Sequence, residues 1–202
     1  GTVIGYVYDE KNLPVADADV VMYSGATKTN KHGVFTFENI KLDQQGTYIR
    51  ISKNGYYHAS DFIYPVEQST ITYSHIKAVK LENGTTLDAN AGGSVTVTGG
   101  AKVTFPQGAI SDSKGNIYTG KVNVFAKYLH PEDRELGNMM PGGLLADAAN
   151  GNTVSLGTLG MIGVEIRDLQ GNKLNVANGK KASIEFPVNT SYKPSEIPLW
   201  SF

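Results

Sequence analysis

Cysteine is absent from this 202-residue chain, which removes disulfides, thiolate metal sites and cysteine nucleophiles together. The redox compartment stays open, because oxidising and reducing surroundings both tolerate such a chain. Net charge is nearly absent too: 18 basic side chains stand against 19 acidic ones, a balance of −1. Without a long-range field, neither nucleic acid nor an anionic membrane is expected as a partner. No apolar run reaches about eighteen residues, so no membrane-spanning helix is expected, and no charged and then apolar leader opens the chain. It starts at Gly1 rather than Met, as expected of a trimmed fragment that has lost a signal peptide or lipid anchor upstream.

Catalytic spacing is also missing. His32, His58, His75 and His130 are scattered with no His-x-x-x-His or His-Glu-x-x-His arrangement, so a zinc site would have to be assembled wholly by tertiary contacts. There is no Gly-x-Ser-x-Gly elbow to expose a nucleophile, and the glycine pairs at 92–93, 99–100 and 142–143 sit before strands or in loops, not at a phosphate-cradling helix start. The expectation is a protein that is not an enzyme, with no catalytic residue, no cofactor and no metal. Asp112, Asp133, Asp147 and Asp168 do offer hard oxygen ligands of the kind calcium takes, but no Asp-x-Asp-x-Asp-Gly loop organises them, and turn formation is their expected role.

What the chain does have is the composition of a turn-rich all-β protein, with 23 glycines, 8 prolines and 11 tyrosines beside abundant Val, Ile and Thr. Period-two alternation appears in Val3-Ile-Gly-Tyr-Val-Tyr8, Val34-Phe-Thr-Phe37, Thr47-Tyr-Ile-Arg-Ile-Ser52 and the run from Thr70 to Leu81. It stops at Glu82-Asn-Gly-Thr-Thr-Leu-Asp-Ala-Asn-Ala-Gly-Gly93, a stretch of turn formers that predicts a domain boundary rather than a strand. Residues 1–84 form the first expected domain and residues 85–202 the second.

The second half alternates again in Ser94-Val-Thr-Val-Thr98, Ala101-Lys-Val-Thr-Phe105, the run from Gly120 to Tyr128, Gly160-Met-Ile-Gly-Val-Glu-Ile-Arg167 and Lys181-Ala-Ser-Ile-Glu-Phe186. Two connections, Asp112-Ser-Lys-Gly-Asn116 and Asp168-Leu-Gln-Gly-Asn172, share an Asp-x-x-Gly-Asn form that suits a hairpin turn. The longest irregular segment, residues 129–145, is the expected functional excursion of this half, with one helical turn begun by Pro131. The apolar tail Ile197-Pro-Leu-Trp-Ser-Phe202 predicts a closing strand, with further chain beyond it in the natural protein.

The first-half motifs, namely Gly5-Tyr-Val-Tyr-Asp9, Pro14-Val15, Ala18-Asp-Val20, Thr29-Asn-Lys-His-Gly33, Gly46-Thr-Tyr48 and Gly55-Tyr56, resemble the carboxypeptidase regulatory-like domain. That resemblance implies a small transthyretin-like β-sandwich serving as a non-catalytic appendage. One departure stands at Lys31-His32, where relatives place Asp or Asn just before the turn glycine. In the second half, Val103-Thr-Phe-Pro-Gln-Gly-Ala-Ile110, Met140-Pro-Gly, Gly160-Met-Ile-Gly-Val164 and Ile197-Pro-Leu-Trp200 look like the β-rich module that follows regulatory-like domains in bacterial envelope proteins. The same segment is similar to part of cartilage intermediate layer proteins.

The expected architecture is therefore all-β, two tandem β-sandwiches, the first transthyretin-like. The expected role is a structural or protein-binding module of a secreted or envelope-anchored bacterial protein, with loops at the sandwich ends as contact surface. The alternative is a carbohydrate-binding accessory module: Tyr56, Tyr57, Tyr64 and Tyr73, with Phe62, make the first half dense in rings that can stack on sugars or meet a partner protein.

Overall fold

The computed structural model describes residues 1–66, 69–140, 144–148, 151–155, 157–187 and 196. It is all-β, built of sheets stacked as sandwiches, with one helical turn among the described residues. Of those residues, Gly1–Lys80 and Glu132–Thr158 make one compact unit; Leu81–Pro131 and the described part of Leu159–Leu199 make the other. The expected tail strand at 197–202 lies outside the described residues.

The first unit packs two sheets. One has the order β4-β1-β7, from β1 (Thr2–Asp9), β4 (Val34–Phe37) and β7 (Ile71–Ala78). The other has the order β3-β2-β5-β6, from β2 (Asp19–Met22), β3 (Gly25–Lys28), β5 (Thr47–Ser52) and β6 (Ala59–Ile63). The alternation read from the sequence is what the burial shows: Val3, Val7, Val20, Phe35, Ile49, Ile51 and Ile76 point between the sheets and are almost fully buried. Each such side chain contributes about 1.5–3 kcal/mol of apolar transfer energy. The β1–β7 pair is parallel, running from Thr2 opposite Ile71 to Asp9 opposite Ala78.

The second unit sets a five-stranded sheet, order β11-β16-β15-β12-β8, against a three-stranded one, order β17-β10-β9. The strands are β8 (Thr85–Asp88), β9 (Gly93–Thr96), β10 (Lys102–Phe105), β11 (Ile110–Ser111), β12 (Lys121–Leu129), β15 (Met161–Asp168), β16 (Lys173–Val176) and β17 (Ser183–Glu185). Val95, Val103, Phe105, Ile110, Val122, Val124, Ile166 and Leu174 form its core. Strand β8 falls inside the stretch that composition marked as turn. It is held by backbone pairing to β12, with Leu87 opposite Val122, while its threonines face solvent. Tertiary pairing overrides weak local preference there.

Between β12 and β15, which pair antiparallel from Val122–Asp168 to Leu129–Met161, the chain leaves for the first unit. This excursion carries α1 (Leu136–Met139) and a short hairpin of β13 (Leu145–Asp147) with β14 (Thr153–Ser155). The helical turn comes later than Pro131 would start it. Asp133 first closes its own turn, its Oδ1 accepting from the Glu135 N–H and its carbonyl from the Leu136 N–H. Leu136 and Met140 are buried and α1 lies against β7, so burial of these two side chains sets where the turn forms.

Gly5 sits in β1 with an ordinary strand conformation, yet a Cβ at this position would overlap the Phe35 ring. Gly5→Ala is expected to destabilise the first unit by about 1–3 kcal/mol through overpacking. In urea unfolding, Phe35→Leu in the same chain should return part of that loss; additive losses would show that the ring is not the obstacle.

Candidate functional site

Because Val20, Met22, Ile49, Ile51, Ala59 and Ile63 turn inward, the pleat sends Asp19 and Val21 of β2, Tyr48 and Arg50 of β5 and Phe62 of β6 to the outer face of the β3-β2-β5-β6 sheet. Register then aligns them. Val21 lies opposite Arg50, and Arg50 opposite Ser60; Tyr48 lies opposite Phe62. The rings of Tyr48 and Phe62 meet edge to face with centroids 4.6 Å apart, and Phe62 meets Tyr64 in the same way at 5.1 Å. Such contacts add about 0.5–1.5 kcal/mol each beyond area burial. The middle ring is pinned from below. Gly46, at φ +100°, passes directly beneath Phe62, and a Cβ at 46 would overlap that ring. Tyr48 is 43% and Tyr64 47% exposed, so the outer members of the row remain open to a ligand.

The edge beside this row is closed to strand addition. Asp61 Oδ1 accepts the N–H of Phe62, and its Oδ2 accepts the hydroxyl of Ser74 on β7, so a carboxylate occupies the rim of β6. An inward-pointing charge of this kind blocks edge-to-edge pairing.

Of the tyrosines singled out from the sequence, Tyr64 alone joins the row. Tyr56 is half-buried against the core, with Lys80 Nζ 5.8 Å from its ring centroid. Tyr57 is half-buried, and its N–H donates to the Val79 carbonyl. Tyr73 is 63% exposed but stands on β7 in the other sheet, opposite Ile4. Tyr48 completes the row although it was not among the candidates; its alternation showed it facing solvent, but its partner across the hairpin was not readable.

The buried titratable groups of the first unit, Asp9 and Lys77, and their partners are committed to architecture. Asp9 is buried, pairs with Lys80 Nζ at 2.8 Å, and accepts the N–H groups of Lys11 and Leu13. Burial opposes its charge, but Lys80 and the two N–H groups outweigh that cost and hold the carboxyl below the ordinary Asp range; Asp9 in turn raises Lys80. Lys77, also buried, reaches Glu135 at 3.2 Å and lies 5.3 Å from the centre of the Tyr8 ring. The Asn138 amide and then Lys77 hold the Glu135 carboxyl low, while burial and then Glu135 push the Tyr8 hydroxyl up. Ser74 and Lys77 have the Ser-x-x-Lys spacing of a nucleophile pair, which corrects the expectation that no such spacing occurs in the chain. On a strand, residues three apart face opposite sides, and here Ser74 bonds Asp61 while Lys77 bonds Glu135.

The loop carboxylates show the turn chemistry expected of them. Asp112 Oδ1 accepts the N–H groups of Lys114 and Asn116, and Oδ2 the Asn116 amide; Asp168 repeats this with Gln170 and Asn172. The Asn side-chain bond leads in lowering both carboxyls. Asn30 performs the same service for His32 and Val34, so the departure at His32 leaves the turn intact. The Asp147 side chain lies outside the described residues. Among those described, no three His, Asp or Glu groups gather in a way that could hold a metal ion.

No family model matches the chain, and no curated protein does. Among solved structures, a Bacteroides fragilis protein described as membrane-associated and of unknown function overlaps 88% of this chain and 83% of its own, at 10% identity and TM-score 0.34. A type II cohesin–X–dockerin complex from Acetivibrio cellulolyticus overlaps 40% of this chain at 18% identity and TM-score 0.32; this chain spans 58% of that one. The Bacillus anthracis TIE protein overlaps 92% of this chain and 31% of its own, at 9% identity and TM-score 0.30. Scores this low carry no shared function.

Asp9 generates a pH prediction. Its folded pKa is depressed, so its stabilisation is full above the unfolded value of about 3.9 and is lost as pH falls through the lower folded value. Asp9→Asn keeps the turn acceptor but drops the ion pair. It should cost about 1.5–3 kcal/mol at pH 7 and much less near pH 2, measured as urea unfolding across pH. An equal cost at both ends would assign the loss to packing.

Proposed function

We propose that this protein is a non-enzymatic binding module of a secreted or envelope-anchored bacterial protein, and that it holds its ligand on the outer face of the β3-β2-β5-β6 sheet. The observation that carries the proposal is the Tyr48–Phe62–Tyr64 row: three rings locked edge to face, the central one seated on Gly46, with the two outer ones about half exposed. Preorganised aromatic rings lose little entropy on binding and stack on apolar faces of sugars or on partner side chains. The regulatory-like resemblance of residues 1–84 supports the same accessory role, as does the commitment of Asp9, Lys77, Lys80 and Glu135 to ion pairs inside the fold. The division into a first domain of residues 1–84 and a second of 85–202 belongs to this proposal.

Size favours a glycan chain over a folded protein as the ligand. Strands of four to six residues, at ~3.3 Å per residue and ~4.8 Å between strands, give a face of roughly 300 Å². A standard protein complex takes about 800 Å² from each partner. Protein contact is the second reading, and its own observation is the opposite sheet, where Tyr73 and His75 are exposed beside Ile4 and Tyr6.

Tyr48→Ala and Tyr64→Ala should each weaken retention on a glycan affinity gel about three- to tenfold, the equivalent of about 0.5–1.5 kcal/mol per ring, with unfolding midpoints checked in parallel. If the double variant binds as the parent does, or no plant, host or bacterial glycan retains the parent, the carbohydrate reading falls and protein contact takes its place.

A further inference from the structure

Resting on the carbohydrate reading, we propose that the glycan held by this face is acidic, a polysaccharide whose uronic or sialic acid carboxylate is received by Arg50. Arg50 lies on β5, one of the two inner strands, flanked across the sheet by Val21 and Ser60. It stands two residues from Tyr48 on the same face, about 6.8 Å along the strand. It is exposed, and among the described residues its guanidinium makes no hydrogen bond and no ion pair. Its place sets it apart from the other cations of the unit: Lys28 pairs with Asp19, Lys77 with Glu135, Lys80 with Asp9, and Lys53 donates to the Asp17 carbonyl, while Lys11, Lys31 and Lys41, whose ammonium groups also make no ion pair among the described residues, lie outside the strands.

The acids that could neutralise Arg50 are engaged elsewhere. Asp19, on the same face, is held by Lys28, and Asp61, across from Ile49, is turned to the Phe62 N–H and to Ser74. A guanidinium left open in the middle of a sheet, beside an exposed valine and an aromatic row, presents a planar fork of donors that matches a carboxylate through two parallel hydrogen bonds. A sugar acid joins the two requirements in one unit: its ring carbons rest on the aromatic row and its carboxylate projects from the ring edge toward the fork. A neutral glycan would satisfy the rings and leave Arg50 without a partner.

The test is affinity electrophoresis of the whole chain in gels containing polygalacturonate, alginate, hyaluronan or polysialic acid, with methyl-esterified polygalacturonate, dextran and poly-L-glutamate as comparison polymers. The expected result is retention by at least one acidic glycan, reduced tenfold or more by Arg50→Gln and less by Arg50→Lys, with the remote exposed Lys31→Gln unchanged. Circular dichroism checks that each variant is folded. Equal retention by polygalacturonate and its methyl ester, or unchanged retention of Arg50→Gln, overturns the inference; a loss confined to Tyr48→Ala then still supports the carbohydrate reading. Equal losses for Lys31→Gln and Arg50→Gln make the attraction diffuse and overturn it as well. Retention by poly-L-glutamate with no glycan retained assigns the face to an acidic protein and overturns both readings.

Discussion

The parallel pairing of β1 with β7 is the constraint on which the first unit depends. It joins the first strand to the last one before residue 80 along eight residue pairs, from Thr2–Ile71 to Asp9–Ala78, so the chain between must fold back as one closed sandwich. The buried charges cluster at the far end of this pair. Asp9 ends β1 and meets Lys80 just beyond β7, while Lys77 and Tyr8, opposite each other in the register, are both met by Glu135. The excursion from the second half of the chain therefore docks where β1 and β7 would otherwise leave a buried ammonium without a counterion, a state that costs several kcal/mol.

Chemistry in this protein is divided by location. Inside and at the turns, carboxylates are saturated: Asp9, Asp112 and Asp168 each accept two backbone N–H groups through one oxygen and a side-chain donor through the other. A carboxylate so occupied is held in its ionised form. The outer face of the β3-β2-β5-β6 sheet is arranged the opposite way, with half-exposed rings and an open guanidinium on a rigid platform.

Much of this was legible in residue order. Alternation in Val3–Tyr8, Thr47–Ser52 and Lys102–Phe105 marks strands because a sheet with one buried face imposes a period of two, and the Asp-x-x-Gly-Asn turns carry their hydrogen bonds within five residues. The misses share a cause. Strand β8 is made of residues with weak strand preference and exists because β12 offers it a ladder. The helical turn at Leu136–Met139 is placed by burial of Leu136 and Met140, not by Pro131. The candidate site was legible as tyrosine density but not as a set, because membership in the Tyr48–Phe62–Tyr64 row depends on the β5–β6 register, and a slip of one residue would send Phe62 to the core face.

The sequence by itself determined the class of the protein: all-β, nearly neutral, without cysteine chemistry, punctuated by self-contained turns. These properties are local or compositional, so no knowledge of distant neighbours is needed to read them. Only the tertiary structure decided which strands are partners, where the excursion packs, that Tyr56 and Tyr57 serve the core side, and that Tyr48, Phe62, Tyr64 and Arg50 share one open face. Those outcomes rest on pairings between segments far apart in the chain, selected by burial and register together, and neither quantity is encoded in any single stretch of residues.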